Sequence, residues 1–295
     1  MAARKTNLTA CLLLFAGIAG CGGGGSNTLA PGPDPDPVIE SRAVDLLDYV
    51  GASIRYVQAF SEGYFVPTAS ELDQFSSIVI NLINQDPQAA QLAAGNIGFR
   101  LFRVIDTGAG DNELYCLEEV ALRGQGFYCV DRDSTNAHHI SAPHPLFDSR
   151  TNTESVAVMR GTGARFLSVS TTHRCSNVAT TSCSGTTSVC GASGAYKVSD
   201  LAHNVDSFFH HFGETVHDRS ASTHTIQLHG CGSSACPSNI DDADIVARLS
   251  AGTTDDLPAT ELVNVLNAEL NEELSPLQQG SSVSCSEPSD DKRLC

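Results

Sequence analysis

The sequence predicts an α/β fold in which helices flank a mostly parallel or mixed sheet, preceded by an N-terminal helical layer and a small antiparallel meander. After residue 130, short apolar segments alternate with helical patterns, which is typical of strand–helix–strand units. Between residues 98 and 130, turn-rich sequence separates three strand-like segments, which indicates antiparallel strands. A chain of 295 residues, 41% of them hydrophobic, is long enough to bury a substantial core. We therefore expect one globular domain over residues 38–295.

The helical layer is expected over residues 38–90. Residues 38–61 place apolar side chains on one broad helical face and are predicted to form one helix. A second helix is predicted from Ser70 to Asn84, because the helical pattern stops near Asp86-Pro87. Neither helix carries side chains that suggest chemistry, so this layer is interpreted as structural.

The remaining elements follow in chain order. In the meander, strands are predicted at residues 98–105, 113–120 and 124–130. In the core over residues 131–295, strands are predicted at 140–143, 165–169, 225–228 and 245–249, and helices at 153–161, 200–219 and 259–274. Residues 175–199 are small and polar, hold three cysteines and lack periodicity, so we expect an insertion outside the sheet.

The N-terminus has the features of an exported protein. Arg4 and Lys5 precede an apolar run that is too short to span a bilayer. The run ends in Ile18-Ala19-Gly20-Cys21, which resembles a bacterial lipobox. Residues 1–20 are therefore expected to be a lipoprotein signal peptide, and Cys21 is expected to carry lipid. The alternative is an ordinary signal peptide cut at a small-residue site.

The segment from Cys21 to Pro37 predicts a flexible tether, because glycine and proline repeats favour mobile or extended chain. Gly22 favours an outer-membrane or surface location in the bacterial cell envelope, by resemblance to other lipoproteins. The formal charge of −17 argues against nucleic acid and anionic lipid as partners, since like charges repel. The membrane is thus expected as a partner only through the lipid on Cys21.

Eleven cysteines and an exported context predict disulfides. Expected pairs are Cys116 with Cys129 across a hairpin, Cys231 with Cys236, and Cys285 with Cys295. The remaining trio is Cys175, Cys183 and Cys190, whose connectivity the sequence leaves open. A structural zinc site is the less favoured alternative, because the chain contains no C-x2-C pair.

Three of the predicted core strands end on a histidine: His144, His173 and His229. In an open parallel sheet, ligands bind outside the carboxyl ends of the strands. The three histidines are therefore expected at one edge of the sheet. Each of them alone would be interpreted as a loop residue, but their shared position favours a functional site.

His144, Asp148 and His229 are the candidate metal ligands. Zn²⁺ in catalytic sites takes three imidazole or carboxylate ligands and keeps an open position. If these residues bind one ion, their ligand atoms should converge within about 4 Å, as ligands about 2 Å from one ion must.

Three further residues are candidate catalytic groups: Arg174, His173 and His203. Arg174 suits a substrate carboxylate, with an ion pair to an acidic residue as the alternative. Of the histidines on the predicted helix 200–219, only His203 is close enough to the strand ends to reach the site, so His210 and His217 are interpreted as solvated.

The segments APHPLFDSRTNTESVA, HRCSN, SDLAHN and QLHG resemble zinc amidohydrolases related to poly-γ-glutamate hydrolase and N-formylglutamate amidohydrolase. The resemblance covers about residues 130–250. It implies a zinc-carboxypeptidase-like fold, with zinc held by His144, Asp148 and His229. It also implies a carboxylate general base, usually a late glutamate. The late glutamates here, Glu269, Glu272, Glu273 and Glu287, lie in poorly suited positions, so the base is expected on a final strand beyond Cys295 or is missing from a non-catalytic relative.

The first functional hypothesis is an exported zinc-dependent hydrolase of amide bonds, acting on a carboxylate-bearing peptide or γ-linked polyamide. The alternative is a non-catalytic surface lipoprotein that binds a partner through the same fold. A zinc hydrolase of ester or phosphate bonds is a third possibility, since zinc sites serve several chemistries.

Overall fold

The computed structural model describes residues 38–220 and 223–230, and the backbone of two further strands at 245–249 and 282–285. Its main sheet has seven strands: β1 (Glu40–Val44), β2 (Phe99–Asp106), β3 (Asn112–Glu119), β4 (Phe127–Asp131), β5 (Asn136–Ala142), β6 (Ala164–Val169) and β7 (Thr225–Gln227). Their order across the sheet is β1-β2-β3-β4-β6-β5-β7. Helices pack on both faces, so the predicted α/β class is confirmed.

The predicted meander is present as β2, β3 and β4, which pair antiparallel in sequence order. A short 3₁₀ turn at Thr107–Ala109 connects β2 to β3, and Gly110 leaves it with a positive φ of 69°. Cys116 and Cys129 lie directly opposite each other in the β3–β4 register and form the predicted disulfide.

The second half of the sheet is parallel. β5 lies between β6 and β7 and pairs parallel with both, whereas β4 joins β6 antiparallel. The sheet is therefore mixed. We call the edge at which β5, β6 and β7 end the carboxyl edge. β3 also ends there, because Glu118 pairs with Phe127 and Phe127 with Val169.

The predicted helix over residues 38–61 is wrong. Residues 40–44 form β1, which pairs parallel with β2, and the helix α1 spans only Leu46–Ala52. The boundary lies at Asp45, whose side chain accepts hydrogen bonds from the Leu47 and Asp48 backbone N–H groups. An aspartate in this N-cap conformation starts a helix, and so separates the strand from it.

The predicted second helix is confirmed as α2, Ala69–Ile83, which begins with a capping box formed by Thr68 and Glu71. A third helix, α3 at Pro87–Asn96, was not predicted. Asp86 caps it by accepting from the Ala89 N–H, and Pro87 occupies its first turn. Proline fits that position because its missing N–H would have no helical partner there.

Two further helices follow in the core: α4 (Thr151–Thr162) and α5 (Phe208–Arg219). The first corresponds to the predicted helix 153–161. The predicted helix 200–219 is shorter than expected, because a 3₁₀ turn at Leu201–His203 precedes α5 and Ser207 caps the α5 N-terminus.

The core consists of two layers. On one face of the sheet, α2, α3 and α5 bury an aromatic cluster that includes Phe75, Phe99, Tyr128 and Phe212. On the other face, α1 and α4 pack against alternate residues of the same strands. The first helices of the chain therefore lie on opposite faces and do not form one layer.

The cysteine-rich insertion follows β6, as expected, and the disulfide Cys175–Cys190 closes it. The strand at Ile245–Leu249, β8, pairs with β9 (Ser282–Cys285) and not with the main sheet, which corrects its predicted place. Outside the described residues lie the predicted signal peptide and tether, the Cys231–Cys236 and Cys285–Cys295 pairs, and the helix 259–274. Among the described residues, no helix is long and apolar enough to cross a membrane.

Candidate metal centre at the carboxyl edge

The strand order brings the three predicted histidines to one edge. His144 follows β5, His173 follows β6 and His229 follows β7, and these strands are adjacent and parallel. The loops that carry the histidines therefore leave the sheet side by side, as the sequence predicts.

A tight turn joins His144 to Asp148. The backbone N–H groups of Phe147 and Asp148 both donate to the His144 carbonyl, at 2.9 and 2.7 Å. This turn places the Asp148 Oδ2 atom 3.6 Å from His144 Nδ1. The β7 end packs directly on it, because a Cβ atom at Gly230 would lie 3.1 Å from the Asp148 Cα and Cβ atoms. Glycine thus allows β7 to approach the turn closely.

The three candidate ligands converge. The Asp148 Oδ2 atom lies 3.1 Å from His229 Nδ1, and one ligand atom from each residue lies within 4.8 Å of the others. This spacing is slightly wider than the expected 4 Å. His144 and Asp148 are buried, whereas the His229 side chain is 41% exposed, so the group opens to solvent on one side.

Hydrogen bonds on the far side of each imidazole orient the ligand atoms. His144 Nε2 donates to Asp200 Oδ1 at 2.7 Å, and His229 Nε2 donates to Gln227 Oε1 at 2.8 Å. A neutral ring that donates through Nε2 carries a lone pair on Nδ1. The buried His144 Nδ1 atom has no hydrogen-bond partner among the described residues. The His144 lone pair and the Asp148 carboxylate therefore face one another, and His229 Nδ1, which lies 3.1 Å from Asp148 Oδ2, would give up any proton it carries when a cation binds. The group can hold a metal ion.

Sequence reasoning missed Asp200, which orients a candidate ligand. Its buried carboxylate accepts four hydrogen bonds: one from His144, two from Arg174 and one from His203. Metal-binding histidines commonly donate their second N–H to a carboxylate in this way. The one available signal was an acid three residues before His203 in SDLAHN.

The chain matches no protein-family model, no curated protein and no solved structure. The resemblance to zinc amidohydrolases therefore stays a prediction, and the geometry of the site is the basis for any functional proposal.

Arg174 lies beside the group but is paired. Its Nε and Nη2 atoms donate to Asp200 Oδ2 at 3.0 and 2.6 Å, so the ion pair that the sequence left as an alternative is present. Nη1 makes no hydrogen bond to the described residues. The guanidinium also lies over the Phe147 ring, 5.3 Å from its centroid.

The structure also places the other two catalytic candidates. The Cys175 backbone N–H donates to His173 Nδ1 at 3.0 Å, and the His173 ring meets Phe147 edge-on. His203 contacts Asp200 through Nδ1 at 3.1 Å and stacks on Tyr196, with ring centroids 3.7 Å apart. Their predicted catalytic roles stay predictions. On α5, His217 is exposed and His210 pairs with Glu214.

The charges fit a cation site. Burial raises the pKa of Asp148, but the neighbouring His144 and His229 side chains outweigh burial and hold that pKa well below its usual value. The pKa of Asp200 is lowered in the same way, against burial, by His144, His203 and Arg174. Burial lowers the pKa of His229, and Asp148 opposes this shift only in part. At neutral pH the group therefore holds an ionised carboxylate and a neutral His229 imidazole.

Glu269, Glu272, Glu273 and Glu287, the candidates for a carboxylate base, all lie outside the described residues. Within the described part of the carboxyl edge, Glu119 is a buried carboxylate, but its oxygens accept from the Arg123 and Gln125 N–H groups and from the Thr171 hydroxyl. Glu119 therefore stabilises the loop after β3.

Proposed function

We propose that this chain is an exported, membrane-tethered, zinc-dependent hydrolase of amide bonds. The observation that carries the proposal is the convergence of His144 Nδ1, Asp148 Oδ2 and His229 Nδ1, in which the Nε2 hydrogen bond to Asp200 holds His144 Nδ1 as a lone-pair donor. Three nitrogen and oxygen ligands with one exposed side are typical of catalytic zinc sites, which keep a position for water or substrate. A structural site, in contrast, is closed by four protein ligands.

The donor set supports zinc without excluding other metals. Two imidazoles and one carboxylate suit Zn²⁺, and they also suit non-haem Fe²⁺. When bound in such a site, Zn²⁺ polarises a carbonyl and activates water for hydrolysis. The chain itself supplies the orientation: Asp200 fixes the His144 ring, and Gln227 fixes the His229 ring.

A carboxylate-bearing peptide or γ-glutamyl-type polyamide is the proposed substrate. Arg174 supports this choice, because Nη1 remains for a substrate carboxylate while Asp200 holds the rest of the guanidinium. The resemblance to zinc amidohydrolases points to the same bond. Export and a lipid anchor on Cys21 are proposed from the N-terminal sequence, and an oxidising compartment agrees with the disulfides Cys116–Cys129 and Cys175–Cys190.

The deciding experiment measures metal and activity together. Purified, tag-free protein is incubated with excess Zn²⁺ or Fe²⁺, desalted and analysed for bound metal; we expect about one Zn²⁺ per chain. The His229 side chain is partly exposed, so His229→Ala should lose the zinc and remain folded. His144→Ala should also lose the zinc. His217→Ala is the matched control, because His217 is exposed on α5.

The same samples are tested on γ-glutamyl-p-nitroanilide, di-γ-glutamate and α-linked dipeptides. We expect the zinc-loaded protein to hydrolyse at least one of these amides, and a chelator to abolish the reaction. Protein that stays metal-free in excess zinc contradicts the proposal, and so does activity that survives the chelator.

The second candidate function is partner binding without catalysis. It is favoured by exposed apolar side chains near the carboxyl edge, where Phe60, Val178 and Phe147 are 70%, 66% and 45% exposed. The Phe60 backbone N–H donates to the Cys175 carbonyl, so Phe60 adjoins the cysteine-rich insertion. Chelator-sensitive hydrolysis would rule against this candidate.

A further inference from the structure

His203 and His173, near the candidate ligands, form hydrogen bonds of opposite direction at Nδ1: one ring donates there and the other accepts. His203 Nδ1 lies 3.1 Å from the Asp200 carboxylate, which is ion-paired with Arg174 and only accepts. His203 Nδ1 is therefore the donor, and its neutral ring carries a lone pair on Nε2. His203 is thus set as a proton acceptor.

His173 has the reverse arrangement. Its Nδ1 accepts from the Cys175 backbone N–H, so its neutral ring must carry the proton on Nε2. Burial, together with the charges of Arg174 and His144, lowers the pKa of His173 and favours that neutral form. His173 is thus set as a hydrogen-bond donor.

Each ring contacts a residue next to the candidate ligands. His203 and His144 donate to the same Asp200 oxygen, and the Tyr196 ring lies parallel to the His203 ring. His173 contacts Phe147, which lies in the turn between the ligands His144 and Asp148. Neither free Nε2 atom has a hydrogen-bond partner among the described residues. An imidazole oriented at Nδ1 by a buried acid is a recurrent arrangement for a general base.

We propose, resting on the hydrolase function above, that His203 is the general base of this site and His173 the donor to the substrate carbonyl. His203 Nε2 takes a proton from water, and the water oxygen bonds to the carbonyl carbon while the carbonyl oxygen accepts from His173 Nε2–H. The C–N bond then breaks, its electron pair leaves on nitrogen, and that nitrogen takes the proton from His203. The products are an amine and a carboxylic acid.

This assignment fills the place of the carboxylate base, because the acids described at this edge are occupied. Asp148 is itself a candidate metal ligand, Asp200 accepts four hydrogen bonds and Glu119 accepts three. The Asp200–His203 pair then serves as the general base, in place of a glutamate.

The first test reads the tautomers directly. Long-range ¹H–¹⁵N NMR of histidine-labelled, zinc-loaded protein should show His203 protonated at Nδ1 and His173 protonated at Nε2 at pH 7.5. The opposite tautomer at either residue overturns its proposed role, whatever the activity.

The second test compares His203→Asn and His173→Asn with His217→Asn on the amide panel above. Asparagine mimics the Nδ1 hydrogen bond of each ring but lacks the Nε2 group. We expect zinc content to stay at the wild-type level and kcat to fall about 100-fold in each of the first two variants, with KM little changed. The His217 control should match wild type.

The outcomes separate the two proposals. A zinc-loaded His203→Asn variant with near wild-type kcat overturns the base assignment and leaves the hydrolase intact. A wild-type protein that binds zinc and cleaves no amide of the panel overturns the hydrolase, and the roles of His203 and His173 with it.

Discussion

His144 Nε2 donates to Asp200 Oδ1 at 2.7 Å, and both side chains are almost completely buried. This bond fixes the imidazole so that Nδ1 faces Asp148 and His229. Residues that orient a ligand from its far side typically contribute 10–100-fold to metal affinity.

Asp200→Asn should therefore weaken zinc binding about 10–100-fold without abolishing it, because the amide oxygen still accepts from His144 while the charge is lost. Competition with a chromogenic chelator measures the affinity. Asp206→Asn is the matched control, since Asp206 is exposed six residues downstream. Equal zinc affinities of the two variants would contradict a role for Asp200 in orienting the ligand.

Gly230→Ala should displace the metal ligands. The added Cβ would lie 3.1 Å from the Asp148 Cα and Cβ atoms, so the turn or the end of β7 must move by a few tenths of an ångström. We expect zinc affinity to fall about tenfold with little change in unfolding temperature. Gly161→Ala, whose new Cβ meets nothing within 4 Å, should bind zinc like the wild type.

Arg160→Leu should destabilise the fold. Its guanidinium donates to Asp106, which is 2% exposed and also caps the start of α1 through the Leu46 N–H. Removing the cation leaves a buried carboxylate without its charge partner, which costs about 3 kcal/mol of unfolding free energy. Urea unfolding measures this loss. Adding Asp106→Asn should restore part of it, and a double variant less stable than Arg160→Leu would argue against the ion-pair explanation.

His139 should make stability depend on pH. Burial against α5 lowers its pKa from the usual 6.5 to about 3, so the unfolded chain takes up the proton first as pH falls. The free energy of unfolding therefore decreases as pH falls from about 6.5 towards 3, and His139 contributes about 1.4 kcal/mol of this decrease per pH unit. His139→Gln should have a shallower slope over this window in urea titrations. An unchanged slope would show that His139 does not titrate in the unfolded chain as expected.

The sequence predicts the position of the site well, because strand ends are local features. His144, His173 and His229 each follow a short apolar run, and the parallel order of β6, β5 and β7 brings them together. Asp200 could not be predicted in the same way. It follows a long insertion without periodicity, and its contact with His144 spans 56 positions of sequence.

The errors in the predicted fold also arise from contacts between residues far apart in the sequence. Residues 40–44 carry a partly helical apolar pattern, and the pairing that makes them a strand comes from β2, about sixty residues later. The helix α3 was missed because Pro87 was interpreted as the end of α2. The local signals Asp86 and Pro87 also fit a helix start, and only the burial of Ala90 and Ala94 decides between the two.

A short strand, β7, precedes the third candidate ligand. β7 has three residues, is at most half-buried and, among the described strands, pairs only with β5; His229 lies two residues beyond it. Local opening of such a strand costs far less free energy than global unfolding. A metal ion that binds only the docked strand shifts this opening equilibrium by mass action. We therefore expect ion capture and docking of β7 to be one coupled event, and slower hydrogen exchange at Ile226 on metal addition would measure how strongly they are coupled.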